Sequence, residues 1–252
     1  MNFIRFSLIF ISACGPLMAA DAWTNLFNGK DLDGWVQRGG KAKFTVEDGC
    51  IVGTSALETP NSFLCTARDY GDFIFEFEFK IAPQLNSGVQ IRSHQFAEQT
   101  EVMWKRKMRV TSAGRVHGYQ IEIDPNPVQD RWWSAGIYDE GRRGWLYPGE
   151  SGGNVKEFTN QGRKLFKQGG WNKVRVEAIG ESMTTTLNGT PCASIKDPLS
   201  AAGFIALQVH EIGNDKAKDG TQVRWRNLRI QEIAAVGDTS HQNIKIRNLS
   251  KN

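Results

Sequence analysis

FIFEFEFKIAPQLNSGVQIRS fills positions 73–93, and its reading decides the fold. Phe73, Phe75, Phe77, Phe79 and Ile81 fall on odd positions, followed after a break by Val89 and Ile91. Glu76, Glu78 and Lys80, then Gln90 and Arg92, fall on even positions. A period of two puts successive side chains on opposite faces of a strand. The stretch therefore predicts two strands, each with an apolar side and a polar side, separated by the turn at Asn86-Ser87-Gly88. The polar side of Glu76, Glu78 and Lys80 is expected to be a solvated surface.

The same alternation continues outward. KFTVEDGCIVGTS, positions 43–55, reads as a hairpin around Asp48-Gly49. HGYQIEID at 117–124 is a strand stopped by Pro125 and Pro127. WNKVRVEAIG and SMTTTLNGTPCASI form strands with an Asn188-Gly189 turn, and GFIALQVHE and TQVRWRNLRIQEI supply the last two. Residues 95–114 read as an irregular polar loop in which AEQTEVMWKRKMR can form a short helix, and residues 128–170 read as loop-rich. Short alternating strands with almost no helix mean an all-β sandwich or barrel. No internal repeat or linker divides the chain, so one domain over 21–233 is expected, with a polar tail at 234–252.

The 252 residues, 40% of them hydrophobic and eight of them Trp, are enough for a large core. A net charge of +4, with no basic run beyond KRKMR at 105–109, gives nucleic acid little to bind. Residues 1–20 combine Arg5, an apolar stretch and small residues up to Ala20, the pattern of a secretory signal and so of a periplasmic or secreted protein. ISAC at 11–14 resembles a lipoprotein cleavage box, which makes a lipid anchor at Cys14 the alternative address. No stretch is long and apolar enough to span a bilayer. Past the signal stand Cys50, Cys65 and Cys192, an odd number. Cys50 and Cys65 are expected on neighbouring strands and could pair in an oxidising compartment; three free thiols are the other reading.

Parity sorts the polar residues. Gln120, Glu122 and Asp124 point away from Tyr119, Ile121 and Ile123; Gln208 and His210 point away from Leu207 and Val209. With Gln90 and Arg92 they form one polar patch if their strands share a sheet. Glutamines are poor strand formers, so their repetition favours binding of hydroxyl groups over a bland surface. Trp132, Trp133 and Tyr138 add the aromatic planes against which sugar C–H faces pack.

LFNGKDLDGW, VEDGCIVG, DFIFEFEFKIAPQLNSGVQIR, GYQIEID, SAGIYD, WNKVRVEAIG, LNGTPC, GFIALQVHE and VRWRNLRIQEI occur in that order. The ordered set resembles the bacterial 3-keto-disaccharide hydrolase family, described as 3-keto-glucoside-1,2-lyase/3-keto-2-hydroxy-glucal hydratase, over residues 23–233. The resemblance implies a concanavalin A-like jelly roll of two antiparallel sheets. It also implies an extracytoplasmic enzyme acting on a glycoside oxidised at C3, which an upstream sugar 3-oxidase would supply. Two departures stand out: Val209 where members often carry Asp before the His, and a longer insertion at 95–115.

A 3-keto sugar has an acidic C2 proton, and its loss gives an enolate that can expel the C1 substituent. That chemistry asks for a base, a positive group near the C3 oxygen and a proton donor for the leaving oxygen. Glu122 and His210 are the candidate bases. Arg92, or a divalent metal ion held by Glu122 and His210, is the candidate for the enolate; Gln90, Gln120, Asp124, Tyr138, Gln208, Trp132 and Trp133 are the candidate substrate contacts. Jelly-roll retaining glycosidases carry E-x-D-x-x-E, but here Pro127 stands at the third carboxylate position. That leaves a conventional glycoside hydrolase and a non-catalytic carbohydrate-binding module as the alternatives.

Overall fold

The computed structural model describes residues 22–104 and 107–234. The signal, Cys14 and all but the first residue of the polar tail lie outside them. In chain order the strands are β1 (Thr24–Asn25), β2 (Trp35–Gly39), β3 (Lys43–Glu47), β4 (Cys50–Thr54), β5 (Ser62–Thr66), β6 (Phe73–Ile81), β7 (Ser87–Gln95), β8 (Thr100–Trp104) and β9 (Lys107–Thr111). There follow β10 (Val116–Ile123), β11 (Ile137–Glu140), β12 (Gly144–Tyr147), helix α1 (Val155–Leu165), β13 (Asn172–Ile179), β14 (Ser182–Leu187), β15 (Thr190–Lys196), β16 (Phe204–Val209) and β17 (Gln222–Glu232).

Two antiparallel sheets carry the fold. One runs β15-β14-β13-β6-β17-β4-β3, with β1 on β17; the other runs β12-β11-β10-β7-β16-β5-β2. The odd-position side chains of β6 are 0–4% exposed and meet Val89, Ile91, Ile121, Ile123 and Leu207 in one apolar layer between the sheets. This is the expected sandwich, and burying each such side chain contributes about 1.5–3 kcal/mol. The turns follow local chemistry. Asp48-Gly49 (φ 50° and 70°) and Asn188-Gly189 (φ 51° and 85°) hold positive φ at both central positions, the conformation a two-residue hairpin needs.

Several expectations are corrected. Residues 100–104 and 107–111 form the paired strands β8 and β9, with Met103 opposite Met108, instead of a helix. Half-buried Thr100, Val102 and Trp104 alternate with exposed Glu101 and Met103, a strand periodicity that the polar flanks obscure. The segment between β12 and β13 is less loop-like than expected, because Asn154 caps α1 by accepting from the Glu157 amide. Cys50 and Cys65 belong to different sheets, and all three described cysteines are free. Glu76 is not merely solvated. It is 7% exposed and forms ion pairs with Lys173, Arg175 and Arg229 across the outer face of β6, β13 and β17.

Candidate active site

The side of the second sheet facing away from the core gathers the polar residues. On it Gln120 lies between Gln90 of β7 and Tyr138 of β11, and Glu122 lies opposite Gly88, which lies opposite Gln208 of β16. Gly88 is required here, because a Cβ on it would come within 2.5 Å of the Gln120 side chain. The missing methyl lets Gln120 lean along the sheet toward Glu122.

A directed chain of hydrogen bonds ends on Glu122. Ser93 Oγ donates to Gln90 Oε1 at 3.1 Å, Gln90 Nε2 to Gln120 Oε1 at 2.6 Å, and Gln120 Nε2 to Glu122 Oε2 at 3.1 Å. Asn86 Nδ2 donates to the other oxygen at 2.6 Å. Both carboxyl oxygens thus accept, while the side chain is only 3% exposed. Burial pushes the Glu122 carboxyl well above the usual range, and the nearby Asp124 charge adds to it; the two amides and Arg131 oppose the rise without cancelling it. Burial raises Asp124 too, but Arg131 forms an ion pair with it and favours its charge. The proton of this pair therefore rests on Glu122.

Around Glu122 is a hollow of about 240 Å³. Gln120, Asn86 and Arg131 line one part; Tyr138, Glu140, Trp145 and His210 line the rest. Burial raises Glu140 as well, against the opposing charge of Arg115 at 3.3 Å. Tyr138 keeps its proton far above neutral pH through burial and the charges of Glu140 and Glu122. The His210 ring places Nδ1 2.7 Å from the Glu211 carbonyl oxygen. A carbonyl can only accept, so Nδ1 carries a hydrogen and Nε2 of the neutral ring is left as an acceptor.

Of the residues singled out in the sequence, Gln120, Glu122, Tyr138 and His210 meet at this hollow. Gln90 and Asp124 stand behind it, bonded to Gln120 and Arg131. Gln208 is fully buried on the same face, and neither atom of its amide has a partner among the described residues.

Arg92 is elsewhere. Between the Gln90–Ala206 and Ser93–Phe204 pairs β7 carries one more residue than β16, a bulge that leaves Arg92 at φ 45°. Its guanidinium turns inward and binds Asp72 and the carbonyls of Gly71, Ala178 and Gly180, joining the two sheets. Trp132 packs against Phe166, and Trp133 donates to Thr159 while buttressing Trp145 at 4.5 Å. Neither lines the hollow.

Asn86, Arg131, Glu140 and Trp145 were not singled out. Glu140 follows Tyr138 by two on β11, so parity points to it; Asn86 and Arg131 sit in loops where parity is silent. Glu122 and His210, the donors named for a divalent ion, both line the hollow. Among the described residues no three His, Cys, Asp or Glu side chains are grouped to hold an ion.

Residues 22–231 match the family model of the 3-keto-alpha-glucoside-1,2-lyase-like domain. The chain belongs to this family. Its insertion, as the β8-β9 hairpin, sets Trp104 edge-on to Tyr138 at 6.0 Å, so it reaches the wall of the hollow. No curated protein matches the chain. Among solved structures, a candidate glycosyl hydrolase of Parabacteroides distasonis ATCC 8503 shares the fold at 20% identity and TM-score 0.53, over 85% of this chain and 96% of that one. A second from the same organism aligns at 18% identity and TM-score 0.51, over 84% and 100%. A Bacillus subtilis protein of unknown function with a galectin-like fold aligns at 10% identity and TM-score 0.55, over 84% and 94%. Among the described residues no helix is long and apolar enough to cross a membrane.

Proposed function

We propose that the protein is an exported enzyme that cleaves 3-keto-glycosides by elimination and hydrates the resulting 3-keto-2-hydroxy-glucal. The observation that carries this reading is two groups facing one hollow: the Glu122 carboxyl, whose burial favours its protonated form, and His210, whose Nδ1 faces a carbonyl and leaves Nε2 to accept. Elimination needs an acid and a base together, whereas a binding module needs neither.

In the elimination His210 Nε2 takes the C2 proton. The electron pair forms the enolate and then the C1–C2 double bond as the C1–O bond breaks, and Glu122 gives its proton to the departing oxygen. Water then adds at C1, returning a proton to Glu122, while His210, having exchanged its proton with solvent, protonates C2. The Tyr138 hydroxyl and the Arg131 cation line the same hollow and stabilise negative charge on the C3 oxygen. Trp145 offers a flat face to the ring.

Glu140 keeps conventional glycoside hydrolysis as a second reading, since it supplies from another strand the third carboxyl that E-x-D-x-x-P lacks. Turnover in D2O separates the two. Elimination places deuterium at C2 of the 3-keto-glucose product, and an unoxidised nitrophenyl glucoside stays intact. Direct displacement leaves C2 unlabelled and needs no keto group. Products without label, or cleavage of the unoxidised glucoside at an equal rate, would refute the elimination.

A further inference from the structure

A second chamber of about 160 Å³ adjoins the hollow, and the two share Asn86, Arg131 and His210 as a common wall. It forms where three loops converge. β10 ends at Ile123 opposite Ser87, where β7 begins, and Ser87 lies opposite Val209, where β16 ends. The loops before β7, after β10 and after β16 therefore project from one end of the sheet. They contribute Gln84, then Asn126 and Gln129, then Lys218.

The two chambers differ in chemistry. The first has Tyr138 and Trp145 on its wall and carboxyls at its base. The second has four side-chain amides and the Glu211 carboxylate, with Ile212 the apolar side chain and no Phe, Tyr or Trp in its lining. An amide presents donors and an acceptor together, matching an alcohol hydroxyl and offering little to a flat apolar ring. Gln84 and Gln129 stand exposed at the rim, where a leaving group must depart into water. Asn86, one of the shared residues, is hydrogen-bonded to Glu122, the group that protonates the departing oxygen. The scissile bond thus belongs at the common wall.

We infer that the second chamber is the leaving-group site, and that it selects a polyhydroxylated, sugar-like alcohol over an aromatic one, with Gln84 and Gln129 as specificity-determining residues. This rests on the proposed elimination for its placement of the keto ring, but the binding of a sugar in the chamber does not.

The test compares the wild type with the Gln84→Ala/Gln129→Ala double variant on the 3-keto derivatives of trehalose and of 4-nitrophenyl glucoside. Both positions are exposed, so folding is retained, which thermal melting checks. The expected result is a fall in kcat/KM for the keto-trehalose at least tenfold larger than the fall for the aryl substrate, carried mainly by KM. Equal falls, or none, overturn the inference. Glucose titration followed by saturation-transfer NMR is read beside it, with binding at least fivefold weaker in the variant expected. Unchanged glucose affinity overturns the leaving-group site even where the enzyme is active. A wild type inactive on both keto substrates but binding glucose through these glutamines sinks the elimination and leaves the sugar site standing.

Discussion

Glu122→Gln separates stability from chemistry in one substitution. An ordinary carboxyl titrates near 4.5 and is ionised at pH 7 in the unfolded chain, whereas burial keeps Glu122 protonated in the fold. Each displaced unit is worth ~1.4 kcal/mol, so holding that proton at pH 7 costs folding about 3 kcal/mol. Glutamine has no proton to retain and escapes this cost. Its amide NH2 must, however, replace an oxygen that accepts from Gln120 or Asn86, which costs about 1–2 kcal/mol. The net gain is about 1–2 kcal/mol at pH 7–8. The sign follows from the raised folded pKa: the wild-type contribution is complete below the unfolded value and lost as pH rises toward the folded one. The gain should therefore shrink to nothing or reverse at pH 4. In a domain of this size each kcal/mol shifts Tm by about 2–4 °C, so melts at pH 4 and pH 8 resolve it. The variant should also lose ~10²-fold or more in kcat on keto-trehalose, whose alkoxide needs a proton, and much less on the aryl substrate, whose phenolate does not. A variant less stable than wild type at pH 8, or equal losses on both substrates, would refute the protonated-acid assignment.

Further outcomes follow from the same geometry. Turnover of keto-trehalose should decline on the alkaline side, as Glu122 loses its proton at a pH above the usual carboxylate range; a flat alkaline limb would contradict this. His210→Ala should abolish deuterium exchange at C2 with Tm changed by no more than a few degrees, and retained exchange would remove it as the base. Arg92→Ala should cost about 3 kcal/mol or more in urea unfolding, because the buried Ala178 carbonyl and the Gly180 carbonyl lose their donor and Asp72 its ion-pair partner; a stable protein impaired only in turnover would return Arg92 to the site. Burial raises Glu76, but hydrogen bonds from Lys173, Arg229 and Arg175 outweigh it and hold the carboxyl at about 2. That depressed value contributes up to about 3 kcal/mol above pH 4.5, lost as pH falls toward 2. Glu76→Gln should thus destabilise at pH 7 and converge with wild type near pH 2, and an undiminished difference at pH 2 would argue against the ion-pair network.

What the sequence could disclose was set by where strict alternation holds. Along β6, and along β10 from Tyr119 onward, the period of two is unbroken, so alternation alone marks Phe73 to Ile81 as core and puts Gln120 and Glu122 on one face. The site sheet could be assembled from parity because Gln90, Gln120 and Tyr138 share one register row. Parity failed at the bulge in β7: one extra residue sends Arg92 through the sheet, and no local composition announces it. It was mute in the loops, where Trp132 and Trp133 looked like sugar platforms but hold α1 and Trp145 in place, while Arg131 beside them reaches the hollow. The bulge and the site also depend on one another. Ser93 follows Arg92 directly, and its hydroxyl begins the chain of donors that runs through Gln90 and Gln120 to Glu122. Without the added residue, Ser93 would trade faces with its neighbour and the chain would lose its first donor. The kink that misleads a reading by alternation thus serves both roles at once: it seats a guanidinium between the sheets and orients the amides that fix the acid.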